Sequence, residues 1–108
     1  MARVLAISSD LLLGSKVEAM LRAAGHEVTM APNPDPVKLE GTDLIVADLD
    51  TEDATELVGH GAPVLGYYSH VNPETKQAAE IAGVDLAVPR SRMARELVSL
   101  AAGLLPAS

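Results

Sequence analysis

Ser8, Ser9 and Asp10 form one short polar run, Asp48 and Asp50 bracket a leucine, Ser69 adjoins His70, and Arg90 precedes Ser91. Each group follows an apolar run, so the chemistry open to these side chains depends on which runs the fold brings side by side. The carboxylates of Asp10, Asp48 and Asp50 are hard oxygen donors of the kind Mg²⁺ takes, whereas the hydroxyls of Ser8 and Ser9 are poor replacements for negative charge. Arg90 offers a planar fork that can pair bidentately with a carboxylate such as Asp48 or grip a bound anion. Helix capping competes with these roles, because Ser9 or Asp10, Asp50 or Thr51, Asn72 and Ser91 all stand where N-caps belong. Asp48 is set apart from them, since it ends an apolar run just ahead of the cap position.

Other chemistries are poorly served. His26 reads as a surface residue at the start of a strand, His60 as part of a Gly-His-Gly turn and His70 as a loop residue; none shows the i, i+4 spacing of a helical metal pair. No metal cluster is visible. The stretch from Ser8 to Gly14 contains a single glycine, so it is neither a phosphate-binding P-loop nor a dinucleotide fingerprint. Cysteine is absent, which excludes disulfides and thiolate chemistry and fits a reducing compartment. A formal net charge of -7 opposes binding to nucleic acid, and two tyrosines are the whole complement of Phe, Trp and Tyr for stacking on bases.

The elements that must position these groups are legible from hydrophobic patterning. Val4 to Ile7, Leu44 to Ala47, Val64 to Tyr68 and Leu86 to Val88 are unbroken apolar runs bounded by polar residues or turn formers, the pattern of strands covered on both faces. His26 to Met30 alternates more and reads as an edge strand. Leu13, Val17, Met20, Leu21 and Ala24 repeat at helical spacing and are closed by Gly25; Met93, Leu97, Leu100, Ala101 and Leu104 do the same ahead of Pro106. Asn72-Pro73-Glu74 opens a third helix that runs to Gly83. Asp50 to Asp53 begins a shorter one ending near Gly59 to Gly61, and the prolines at 32, 34 and 36 leave room only for a stunted helix around Val37 to Glu40.

Strand and helix thus alternate five times across one domain, residues 1–108. The expected fold is α/β, a flavodoxin-like (βα)5 three-layer sandwich with parallel sheet order 2-1-3-4-5 and a short or irregular second helix. In that order the site lies at the C-terminal ends of strands 1 and 3. It would gather Ser8, Ser9, Asp10, Asp48, Asp50, Tyr68, Ser69 and Arg90 on one rim.

Several short motifs, in this order and spacing, resemble the receiver domains of two-component response regulators over essentially the whole chain. Asp43-Leu44-Ile45-Val46-Ala47-Asp48 is similar to the acidic residue, four apolar residues and phosphoacceptor aspartate of that family. Gly83-Val84-Asp85 resembles its Gly-Ala-Asp step, and Gly25-His26-Glu27-Val28 its lead into strand 2. The resemblance places Asp48 at the phosphorylated position. It also exposes departures: Ser8 and Ser9 stand where the family carries its Mg²⁺-holding acidic pair, Tyr68 where it carries a Thr or Ser, Ala87 at its aromatic switch position, and Arg90-Ser91 for its Lys-Pro.

These departures lead to the expectation of a degenerate, non-enzymatic receiver domain that signals through protein contacts without conventional Mg²⁺-dependent aspartyl phosphorylation. Its partner, another protein or a second copy, would dock on the face built from helix 4, strand 5 and helix 5, with Arg92, Met93 and Arg95 presented there. Two alternatives stand beside it. One is a working phosphoacceptor in a phosphorelay, phosphorylated on Asp48, with Asp10, Asp48 and Asp50 as weak metal ligands; only in that case is Mg²⁺ a cofactor. The other is a small-anion or nucleotide-binding module at the same crevice. No apolar run approaches the ~20 residues of a membrane span, and the N-terminus lacks a signal-peptide core, so a cytoplasmic location is expected.

Overall fold

The computed structural model describes residues 2–8, 10–33, 39–69 and 73–105. The chain runs β1 (Arg3–Ile7), α1 (Leu11–Ala23), β2 (Glu27–Ala31), β3 (Leu44–Asp48), α2 (Ala54–Leu57), β4 (Val64–Tyr68), α3 (Pro73–Ala82), β5 (Leu86–Pro89) and α4 (Arg90–Leu104). All pairings are parallel, and the strand order is β2-β1-β3-β4-β5, as the alternation of patterns predicts. Predicted helices 4 and 5 are therefore α3 and α4. The stunted helix expected around Val37 to Glu40 falls largely outside the described residues; Leu39 is buried.

Why the central strands are apolar without alternation follows from the layering. On one sheet face Val4, Ala6, Val46, Leu65 and Val88 pack against Val17 and Leu21 of α1 and Met93, Leu97 and Ala101 of α4. On the other, Leu5, Ile7, Ile45, Val64 and Ala87 meet Leu57 of α2 and Ala79 of α3. Successive side chains point to opposite faces, so both parities of each strand must be apolar.

Two acidic residues that flank the apolar runs have a structural task. Asp43 Oδ2 accepts the Arg3 N–H at 2.8 Å, and Asp85 Oδ2 accepts the Val64 N–H at 2.8 Å. Each carboxylate ties the start of one strand to its neighbour, which helps fix the register on which the opposite end of the sheet depends.

One helix boundary departs from expectation. The short helix begins at Ala54, not at Asp50, because Asp53 supplies its cap: Oδ1 accepts the Thr55 N–H at 2.9 Å and the Thr55 hydroxyl at 2.7 Å. These two bonds hold the Asp53 carboxyl below its ordinary value. Residues 49–52 form a turn instead, and Asp50 is left to the site. Among the described residues no helix is long and apolar enough to cross a membrane.

Candidate functional site

Strand parity and register assemble the site. Ile7 pairs with Ala47 and Asp48 pairs with Tyr67, so Ser8, Asp48 and Tyr67 continue one row across the C-terminal ends of β1, β3 and β4. All three belong to the parity that faces α1 and α4. Ser8 and Asp48 are the buried polar residues of the described chain, with Asp48 at 0% exposure.

An ionised carboxylate so deep in a protein needs charge or hydrogen-bond compensation. Asp48 has both: Oδ1 accepts the Asp50 N–H at 2.9 Å and Oδ2 accepts Arg90 Nη2 at 3.1 Å. The same Nη2 lies 3.5 Å from Asp10 Oδ2. Arg90 therefore does not form the bidentate fork with Asp48 that its shape allows. Its one nitrogen sits between two carboxylates, a position a two-point grip on either would forfeit. Because Arg90 is the first residue of α4 and Asp10 the cap of α1, this shared cation also ties the starts of the two helices together.

The remaining polar groups are engaged with each other. Asp10 Oδ1 accepts the Leu12 and Leu13 N–H groups at 3.1 and 3.2 Å, an N-cap as the sequence suggests. Ser8 Oγ accepts the Asp10 N–H at 3.1 Å. Asp50 Oδ2 accepts both the Ser69 N–H, at 2.8 Å, and the Ser69 hydroxyl, at 2.5 Å, lashing the loop after β3 to the loop after β4. Ser9, His70 and the Asn72 cap lie outside the described residues. Among the described residues no three His, Asp or Glu side chains converge as a metal-binding group.

Several other expectations are corrected. Tyr68 is buried among the cluster on the opposite sheet face with Ala87 and leaves the rim to its neighbour, because β4 pairs without a slip and strand alternation turns it away. Ser91 is not a cap: α4 starts one residue earlier, with Pro89 in the cap position and no side-chain cap bond. Met93 is 1% exposed and belongs to the core, so it cannot be presented on an interaction face. Arg92 and Arg95 are exposed; Arg92 Nε bonds Glu96 at 3.2 Å and Arg95 Nε bonds the Ser91 carbonyl at 3.3 Å. His26 is half-buried rather than superficial, and His60 Nε2 sits 3.0 Å from the Glu56 carbonyl.

The residue that sequence reasoning misses is Tyr67. Its phenol is hydrogen-bonded to the Ser8 hydroxyl and pushed up to about 12, chiefly by burial; Asp48 and Asp10 add to the rise, while Ser8 and Arg90 oppose it. The signal lay in parity alone, since Leu65 and Tyr67 must share a face, but which face required the register.

The comparisons agree with this architecture. A chemotaxis response regulator of Vibrio cholerae superposes with a TM-score of 0.81 at 22% identity, covering 97% of this chain and 99% of that one. A receiver domain protein from Methanospirillum hungatei gives 0.80 at 19%, covering 95% and 92%. A response regulator protein from Burkholderia multivorans gives 0.74 at 26%, covering 100% and 99%. No protein-family model and no curated protein matches the chain. The structural neighbours are thus response-regulator receiver domains, and the chain has their fold.

Proposed function

We propose that this receiver-fold chain is a signalling module that works through protein contacts, with its phosphorylation site held in a fixed, charge-neutralised state by Arg90. One observation carries the reading: Arg90 Nη2 stands 3.1 Å from Asp48 Oδ2 and 3.5 Å from Asp10 Oδ2. A guanidinium here occupies the position from which a cation would serve both carboxylates. The donor set as it stands does not fit Mg²⁺, which wants several free hard oxygens in near-octahedral array. Asp48 and Asp10 are bonded to Arg90, Asp50 to Ser69, and Ser8 to Asp10 and Tyr67. Chemistry that depends on a divalent ion beside Asp48 would have to break the Arg90 pair first.

Without turnover, the domain acts by what its surface presents. The face formed by α3, β5 and α4 carries exposed Arg92 and Arg95 and is the surface assigned to a protein partner or a second copy. Plain solvation of the helix explains the same arginines, so substitution there is the way to separate the two. The experiment for the site itself is intact-mass analysis after incubation with acetyl phosphate and Mg²⁺. The expected spectrum shows the unmodified chain. A gain of one phosphoryl mass that Asp48→Asn abolishes would instead establish the phosphoacceptor reading.

A further inference from the structure

β2 and β5 are the two edges of the sheet, and they are protected unequally. An edge strand presents a row of unpaired backbone N–H and C=O groups that another strand can take up, and proteins blunt such rows with short strands, prolines or charges. β5 is four residues long, ends in Pro89 and passes directly into α4. β2 runs for five residues, Glu27-Val28-Thr29-Met30-Ala31, with neither proline nor lysine in it.

The phase of β2 decides which of its backbone groups point outward. The Glu27 N–H donates to the Ala2 carbonyl at 2.9 Å and the Ala31 carbonyl accepts the Ser8 N–H at 3.2 Å, so Glu27, Thr29 and Ala31 turn their backbone groups towards β1. Val28 and Met30, of the opposite phase, turn theirs away from the sheet. Among the described residues one group is set against that outer row: Arg22 of α1, whose Nη2 donates to the Val28 carbonyl at 3.1 Å. The same nitrogen pairs with Glu18 at 3.0 Å, and the arginine side chain is 59% exposed. Arg22 is thus laid over the edge from the solvent side, by bonds it can leave without disturbing the core.

We infer that the β2 edge is a pairing surface for a second copy of this chain, held closed by Arg22. The row is self-complementary. With a two-fold axis at Thr29, Val28 of each copy lies opposite Met30 of the other; these are the residues whose N–H and C=O both point outward, so each pair exchanges both bonds of an antiparallel ladder. The exposed Thr29 then faces Thr29 of the second copy, a favourable cross-strand pair, and Glu27 faces Ala31 instead of another acid. In a chain of net charge -7 an isologous contact needs a register in which acids do not meet, and within this strand the Thr29-centred register provides it. Arg22 blocks the ladder by occupying one of the carbonyls it requires. Once the guanidinium swings off Val28, the row is complete. This surface lies at the opposite edge of the sheet from β5, and so is separate from the α3–β5–α4 face.

Sedimentation equilibrium on the full chain, comparing wild type with Arg22→Ala, is the test. Alanine is the best helix former, so the change leaves α1 intact, which circular dichroism checks. Arg22→Ala should form dimers about tenfold more tightly than wild type or better. Adding Thr29→Lys, at an exposed position, sets like charges directly opposite each other at the axis and should return Arg22→Ala to the wild-type constant or weaker. Because the chain has no cysteine, single introduced thiols report the register. Under mild oxidation Thr29→Cys in the Arg22→Ala background should give a disulfide-linked dimer, whereas Ile81→Cys, at a position 81% exposed on α3, should not. Equal association of wild type and Arg22→Ala, a dimer indifferent to Thr29→Lys, or cross-linking as fast through Ile81→Cys as through Thr29→Cys would each overturn the proposal. So would an Arg22→Ala chain that stays monomeric at every concentration, which leaves the edge to a strand of another protein or to none. A dimer that Arg92→Glu abolishes and Thr29→Lys does not would move the interface to the α3–β5–α4 face, and overturn it equally.

Discussion

Tyr67 stands directly opposite Asp48 in the β3–β4 register, and its hydroxyl reaches Ser8 at the end of β1, the strand on the other side of that aspartate. Three strand ends are therefore joined over one buried carboxylate: by the phenol, by the serine and, from the α4 side, by Arg90. The site is less a vacant cup than a small polar network, in which each member bonds another, although Arg90 engages through Nη2 alone and its Nε is buried without a hydrogen-bond partner. Networks of this kind are costly to break singly, because every deletion orphans a buried partner.

Tyr67→Phe tests the phenol's part with almost no change of shape. At neutral pH the loss of one buried hydrogen bond should cost about 1 kcal/mol. The more specific signature is alkaline. The folded-state phenol is raised from 10.0 to about 12, so the neutral form is favoured by the fold. That contribution is fully present below about pH 10 and is lost as pH rises towards 12, where the unfolded chain releases its proton first. Urea denaturation across this range should show wild type losing stability on its alkaline limb and Tyr67→Phe losing less. Parallel limbs would show that the phenol is not held as described.

Arg90→Ala should be more damaging than its half-exposed position suggests. It leaves the Asp48 carboxylate with only the Asp50 N–H, and removing one partner of a buried pair costs about 2 kcal/mol or more. Asp48→Asn in the same background removes the stranded charge. The double variant should therefore be more stable than the sum of the single losses, with a coupling of about 1 kcal/mol or more by chemical denaturation. Additive losses would mean that the 3.1 Å contact contributes nothing in solution.

Much of this could be read in advance, and most of the failures share one cause. The unbroken apolar runs, the Gly25 and Gly83 stops at φ +93° and +109°, and the cap at Asp10 are local signals, and local signals specify strands, helices and their order. The same holds for the grouping of Ser8, Asp48 and Arg90, which follows from strand order. What local signals do not carry is the phase between strands. Tyr67 and Tyr68 are chemically identical in the sequence; only the pairing of Asp48 with the first of them decides which one meets the site. Met93 is a different case: its i, i+4, i+8 spacing with Leu97 and Ala101 already put it on the inward stripe, against the expectation that it is presented with Arg92 and Arg95. The cap of α2 falls on Asp53 and not on Asp50 or Thr51, and the Asp50–Ser69 bonds that engage Asp50 elsewhere join residues nineteen apart.

Gly66 supplies a prediction about the loop that carries Asp50. A Cβ built there meets the Leu49 side chain at 2.5 to 2.9 Å, so the leucine head lies directly over the glycine of β4. Gly66→Ala must displace that side chain. The expected cost is ~1–3 kcal/mol, the range for overpacking. Leu49→Ala in the same chain should relieve a large share of it. If the double variant is no more stable than Gly66→Ala alone, the clash is not with Leu49 and the glycine serves some other end.

The last prediction concerns what replaces Arg90 when it is removed. Both Asp48 and Asp10 direct a carboxylate oxygen at the same guanidinium nitrogen, at 3.1 and 3.5 Å. A bare cation takes such oxygens at about 2.0–2.1 Å, so a modest inward shift of Asp10 from its cap would let one ion touch both. In wild type that ion must first expel a tethered guanidinium already paired with both acids, and Mg²⁺ sheds its waters reluctantly. In Arg90→Ala nothing competes, and two uncompensated carboxylates remain. Mg²⁺ should accordingly raise the denaturation midpoint of Arg90→Ala while leaving wild type nearly unmoved, because a ligand stabilises only the state that binds it, by about 1.4 kcal/mol at tenfold excess over Kd. Asp48→Asn added to Arg90→Ala should erase the response. Equal Mg²⁺ stabilisation of wild type and Arg90→Ala would show that Arg90 does not guard the site, and the proposed charge-neutralised state would fall with it.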